Sequence, residues 1–309
     1  MAKSIDFNEV GSDYLQRLQG RAKALFPYAM AFPLVGYVVV FQVIPTIVTF
    51  VQSFFIVNPL SNRQGDFAGL HNYRRILQSH SIMVSWGNEF LYVVFGLGMT
   101  MTLGLLFAIQ LNRKSLWRPV LLAILVLPWA LPGVIEGVIW SWIYNPRFGV
   151  LNYLLVALHI SRHYHTLLAT HRILSVFLIE LVQAWQLTPL TTLLILGGLG
   201  TIPVELNDAT AVDGATSFQG FRYITLPLLR PALIVASVQI VIQSLNIFDQ
   251  VYVLNGNATL ASSVMLQTYL KTFQNLNFGE GYALSFMVTA VTLAISALLF
   301  RFSSKDRSV

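Results

Sequence analysis

Gln239, Gln243, Asn246 and Gln250 recur at helical spacing within an otherwise apolar stretch, with Ser244 and Asp249 among them. An earlier stretch carries Gln183, Trp185, Gln186, Thr188, Thr191 and Thr192 in similar surroundings. Amides, hydroxyls and an indole at these spacings perform no covalent chemistry. They can donate and accept hydrogen bonds and offer a stacking face, which is what an uncharged polyhydroxylated solute needs inside an apolar bundle. The same side chains can instead bond one helix to another without touching solute, and the residues alone leave both readings open. In either case a polar stripe on one helix face is expensive against lipid, so that face is expected to meet protein or a water-lined space. Glu89, Glu136, Glu180 and Asp249 fall at or near the same depth and carry the same expectation.

A second polar element occupies residues 203–228, between two apolar segments. Pro203 suits the first turn of a short helix through Val212, since its fixed φ is already helical. Asp213 and Gly214 interrupt that helix, because glycine takes positive φ without a Cβ clash. Thr216 with Gln219 three residues on has the form of a capping box, which predicts a second short helix ending before Pro227. Helix, glycine hinge and helix make a compact knob suited to touching something outside the bilayer.

These elements must be positioned by a membrane bundle. Hydrophobic residues make up 55% and charged residues 10% of 309, more apolar side chain than one soluble core hides. Six segments, approximately 27–52, 86–111, 119–143, 173–200, 231–254 and 281–302, reach the roughly 20 residues that cross a hydrocarbon layer of about 30 Å. They are too long for tilted barrel strands, so the fold class is an all-α polytopic membrane protein of six helices, residues 25–309, behind a polar segment over 1–24. The first apolar run is longer than a signal-peptide core and is expected to stay as a membrane helix. Pro27, Pro119 and Pro231 lie near span starts, whereas Pro45, Pro128, Pro132 and Pro189 fall inside and predict kinks.

Lys and Arg divide 12 to 7 between alternate connectors, which favours both termini in the cytoplasm and places 203–228 on that side. The net charge of +6 comes from short clusters at span ends, such as Arg113, Lys114 and Arg118, with no basic stripe of the kind that binds nucleic acid. There is no cysteine, which excludes disulfides and thiolate ligands; His159, His163, His165 and His171 share one connector without a spacing that dictates a metal site. No GxxxxGK[ST] run is present, so an ATP-driven stroke must come from another polypeptide.

The chain resembles the MalF/UgpA-like permease subunits of ABC-type carbohydrate importers, whose membrane domain is the six-helix, type I MetI/MalF-like fold. The family's loop pattern, Glu-Ala-Ala, three residues, Gly, nine residues, Ile-x-Leu-Pro, is met by Asp208-Ala209-Thr210, Gly214, Ile224 and Leu226-Pro227 with intact spacing. Further matches lie in order at Gly69 to Tyr73, Leu127 to Pro132, Trp140, and Asn145 to Gly149 with Asn152. Asp208 is one methylene shorter than the usual glutamate, and Thr210 replaces an alanine.

The resemblance implies that Glu205, Asp208, Ala209, Thr210, Asp213, Gly214, Ile224, Leu226 and Pro227 form the ATPase-coupling loop. A plain capping or solvating role for Asp208 is the alternative. It also implies a solute path through Gln183, Gln186, Leu187, Leu190, Gln243, Asn246 and Asp249. Implied partners are a second homologous permease, two ATPase subunits holding ATP and Mg, an extracytoplasmic solute-binding protein docked on outer loops near 58–78, 144–172 and 255–279, a sugar substrate and membrane lipid. No nucleic acid and no cofactor on this chain are expected, and the implied location is a bacterial cytoplasmic membrane. Glycerol 3-phosphate or another polyol is the alternative cargo, although a dianion calls for cations that the span interiors nearly lack. A proton- or sodium-coupled carrier is the remote alternative suggested by the four acids, and it leaves the loop without a task.

Overall fold

A computed structural model describes residues 26–28, 30–113, 115–168, 170–203, 205–206 and 214–304. The chain is helical, and among the described residues the β pairing is one isolated antiparallel bridge between Phe55 and Phe67. Among the described residues, four helices are long and apolar enough to cross a membrane: α1 (Phe26–Gln52), α3 (His80–Asn112), α7 (Arg172–Leu199) and α12, whose crossing part is Phe278–Arg301. Two further segments qualify as bent pairs. In the first, Arg118–Ala130, which opens with α4 (Arg118–Val126), meets α5 (Gly133–Ile143) at 98°. In the second, Ser217–Leu228, which opens with α8 (Ser217–Gly220), meets α9 (Arg230–Leu245) at 68°. Shorter helices α2 (His71–Gln78), α6 (Val150–Ala157), α10 (Asp249–Asn255) and α11 (Val264–Tyr269) lie between the long ones.

The prolines explain most of the irregularities. Pro132 forces the residue before it out of the helical region, and Leu131 stands at φ −83°, ψ 139°, so the third apolar segment turns sharply instead of kinking gently. Pro45 and Pro227 are each preceded by a π turn, Val39–Val43 and Phe221–Thr225, whose wider ring accommodates the proline without ending the helix. Pro189 lies inside α7, which runs on unbroken. The fifth apolar segment departs most from the expected single helix over 231–254. It closes at Asn246 (φ −112°, ψ 17°), passes through Phe248 (φ −133°, ψ −59°), and resumes as α10 at Asp249.

Helices α3 and α7 form the main pair, with α9 across both. Their meeting requires small side chains: a Cβ on Gly96 would overlap Glu180 Oε1 and Ser244 Oγ. One core cluster joins Tyr92 of α3, Val176 and Ile179 of α7, Val251 of α10 and Leu266 of α11. The segment leading into α11 is stapled to α3 by Asn88 Nδ2 donating to Leu260 and Ser262 carbonyls (3.1 and 2.9 Å), Tyr92 donating to the Ala261 carbonyl (2.7 Å), and Glu89 accepting from Val264 N (3.0 Å). Arg172 Nε in turn donates to Asn88 Oδ1 at 2.6 Å. Glu89 and Glu180 are thus buried in protein, as their depth required.

Several residues quoted for the resemblance are structural. Asn72 donates to the Ser53 and Phe55 carbonyls at 2.7 and 2.9 Å, and Tyr73 bonds Ser53 at 2.7 Å, fixing the exit of α1. Asn152 clasps the connector after α5 through the carbonyls of Asn145 and His165 and the His165 amide. Glu280, at the start of α12, is paired with Arg75 (2.9 Å) and Lys271 (3.0 Å), tying α2, α12 and the segment after α11 together. Tyr144 is buried and donates to the Leu178 carbonyl at 2.9 Å.

Candidate functional site

The break between α9 and α10, the bend between α4 and α5, and the middle of α7 line a polar cavity of about 270 Å³. Gln183, Gln186 and Leu187 line it from α7; Gln243 and Asn246 from the last turn of α9; Asp249 and Gln250 from the first turn of α10. Trp129 and Gly133 complete it from the bent segment. Six of the seven residues expected on the solute path therefore meet in one cavity. Leu190 does not line it and is half-buried one turn further along α7.

The single stripe expected from Gln239 to Gln250 is not a continuous helix face. Asn246 ends α9 by turning its own Nδ2 back onto the Ile242 carbonyl (2.7 Å), a side-chain-to-backbone bond that competes with helix propagation. Gln239 stays outside the cavity. The break also frees the Ile247 carbonyl, which is satisfied by Ser263 Oγ at 2.7 Å.

Hydrogen bonds inside the wall are specific. Gln250 Nε2 donates to Glu136 Oε2 at 3.1 Å and to Gln186 Oε1 at 3.3 Å, while Gln186 Nε2 donates to the Leu131 carbonyl at 3.2 Å. Glu136 is fully buried on α5, beneath the cavity wall. Gln183 Oε1 is buried without a hydrogen-bond partner. Gly133 is required by the approach of α10, since a Cβ there would stand 2.6 Å from Asp249 Oδ2. None of the lining residues is Lys or Arg. Trp129, Gly133 and the bearing of Glu136 on the wall were not read from sequence as belonging here. Their one signal was the Pro128 and Pro132 pair, which announced a bend but not what it would bring together.

At the opposite polar element, Asp208, Ala209, Thr210 and Asp213 lie outside the described residues. Glu205 is helical and exposed. Gly214 has φ +70°, the left-handed value that the hinge required. The capping box is formed: Gln219 N donates to Thr216 Oγ1 at 3.3 Å and Thr216 N to Gln219 Oε1 at 2.8 Å. Ile224 and Leu226 are half-buried and Pro227 is exposed. A second cavity of about 420 Å³ lies under this loop, between Thr216 and Phe221 on one side and Asn112 and Leu199, at the ends of α3 and α7, on the other.

Apolar outer faces around a polar cavity, on a bundle of broken and unbroken spanning helices, define a polytopic membrane transport subunit. Residues 100–304 match the family described as binding-protein-dependent transport system inner membrane component, and the chain belongs to that family. It is 34% identical over 288 residues to the trehalose/maltose transport system permease protein MalF of Thermococcus litoralis, covering 90% of this chain and 94% of that one. It is 28% identical to the diacetylchitobiose uptake system permease protein DasB of Streptomyces coelicolor, covering 94% and 90%. In fold it is similar to a chain of a bacterial alginate ABC transporter in complex with alginate pentasaccharide-bound periplasmic protein, with a TM-score of 0.79 at 20% identity over 95% and 99% of the two chains.

Proposed function

We propose that this permease passes a neutral sugar or short oligosaccharide from an extracytoplasmic binding protein to the cytoplasm. The observation that carries the reading is the cavity, an amide-rich, cation-free chamber with an indole face, located where an otherwise apolar bundle is broken. The names of the relatives from Thermococcus litoralis and Streptomyces coelicolor point to the same cargo class. A glycerol 3-phosphate cargo would need Lys or Arg in the lining, and none stands there.

The chain works with a second permease and with two ATPase subunits that hold ATP and Mg, while itself binding no cofactor. The membrane domain runs from residue 25, with both termini and the 203–228 loop cytoplasmic in a bacterial cytoplasmic membrane. Glu205, the Asp208–Thr210 segment, Asp213, Gly214 and the Ile224–Pro227 end carry ATPase closure to the helices. The loop is well placed for this, because its second helix leads through Leu229, which is fully buried, into α9 and so toward the cavity. Coupling then amounts to one equilibrium biasing another.

The test is Gly214→Pro in the reconstituted complex, because proline cannot adopt the positive φ found there. Stimulation of ATPase by sugar-loaded binding protein should be lost in an assembled complex that keeps its basal rate. Unchanged stimulation and uptake would show that the loop does not couple.

A further inference from the structure

Glu136 was expected to face protein or water, yet nothing in the transport reading gives it a task. Its carboxyl is fully buried on α5 and meets the cavity wall at Gln250. A glutamine side chain is ambiguous toward solute, since its amide can turn to present either two N–H donors or one carbonyl acceptor. Glu136 removes the ambiguity. Its Oε2 accepts from Gln250 Nε2, so the amide faces it with that nitrogen, and the second hydrogen of the nitrogen goes to Gln186 Oε1. Both donors of Gln250 are then spent, and the group it has left for the cavity is its carbonyl oxygen.

Three other lining groups tilt the same way. Gln183 Oε1 is an acceptor without a partner, Asp249 contributes a carboxylate, and Asn246 has committed a hydrogen of its amide to the Ile242 carbonyl. A wall rich in acceptors and free of cations matches hydroxyl hydrogens and opposes carboxylates, sulfonates and phosphates, whose oxygens only accept.

Resting on the sugar-permease reading, we infer that Glu136 is a positioning residue of the solute cavity: it fixes the Gln250 amide so that the wall accepts hydrogen bonds from a neutral, hydroxyl-rich solute. Glu136 acts through Gln250 and touches no solute itself. In Glu136→Gln the new amide can donate as well as accept, Gln250 is free to turn, and the wall loses its fixed polarity.

The experiment uses the whole complex in proteoliposomes with its binding protein, and maltose, trehalose and diacetylchitobiose as probes. The readout is sugar moved per ATP hydrolysed. Transport of at least one probe by the wild type establishes the sugar-permease reading first; transport of none overturns that reading, and this inference with it. Glu136→Gln should lower sugar per ATP by about fivefold or more, the scale of one well-placed hydrogen bond, while binding-protein-stimulated ATPase is retained. The exchange Glu136→Gln with Gln250→Glu restores one donor facing one acceptor and leaves a carboxylate oxygen for the cavity, so it should recover the ratio to within about twofold. A ratio unchanged in Glu136→Gln would overturn the inference. So would a parallel fall of uptake and ATPase that the exchange does not rescue, which is what a purely structural role produces.

Discussion

Glu180 and Gly96 show how a buried polar contact dictates a residue on the neighbouring helix. Glu180 is completely buried on α7, with Oε1 accepting from Ser244 Oγ of α9 at 3.1 Å. The pair meets directly over Gly96 of α3, whose missing side chain makes the room. Gly96→Ala inserts a methyl into both partners, so it should destabilise the folded chain by about 1–3 kcal/mol, the usual cost of overpacking. A lower melting temperature of the detergent-solubilised complex would register it. Gly98→Ala, two residues on and open on its outer side, is the matched control and should melt like the wild type or slightly above it. At this scale sequence was informative where side-chain type is enough. Amides at 183, 186, 243 and 246 and the acid at 249 are conspicuous among apolar neighbours. Glu136 was equally conspicuous, but its bond to Gln250 depends on which helix the proline bend brings it against, and no local pattern encodes that.

Helix existence was legible from apolar runs because lipid selects for them, and the bounds of α1 and α7 fall within a residue of the expected ones, but the start of α3 does not. Helix α3 begins at His80, ahead of the apolar run at 86, since its first turns pack against protein and need no hydropathy. The short helices α2, α6 and α11 escaped notice because none is a long apolar run: Asn72 and Asn152 bond α2 and α6 to carbonyls outside them, and Ser263, which caps α11, bonds the Ile247 carbonyl. Asn72 is the clearest case. It is 4% exposed and satisfies the Ser53 and Phe55 carbonyls, close against Gly279 at the start of α12. Asn72→Ala would strand both acceptors and should cost about 1–3 kcal/mol, through loosening of the α1 exit. Proteolysis in proteoliposomes should then cut the 53–70 segment faster than in the wild type, with α3 and α7 protected as before. The breaks at Leu131 and Asn246 belong to this scale too. Proline flagged the first, while the second required a polar residue to cap its own helix inside an apolar run, which periodicity counts as continuation.

Seen whole, the molecule is incomplete on its outside. None of the apolar window of α1 is buried within the chain, and only about a fifth of that of α3 and of α12 is, against 61% for α7. Such faces are stable only against lipid or another membrane protein. One buried helix ringed by exposed ones leaves the cavity walled on the side of α5, α7, α9 and α10, which suits a subunit that shares its solute path with a second permease. The orientation of this body decides the direction of transport, and it can be read directly because the chain has no cysteine of its own. Thr259, on the connector after α10, and Ser217, the first residue of α8, are both exposed. With both termini cytoplasmic, Thr259→Cys should react with a membrane-impermeant maleimide in intact spheroplasts, and Ser217→Cys only after permeabilisation. The opposite pattern would place the capping-box loop outside, where no ATPase could reach it. It would also reverse the assignment of inner and outer connectors that the Lys and Arg distribution suggests.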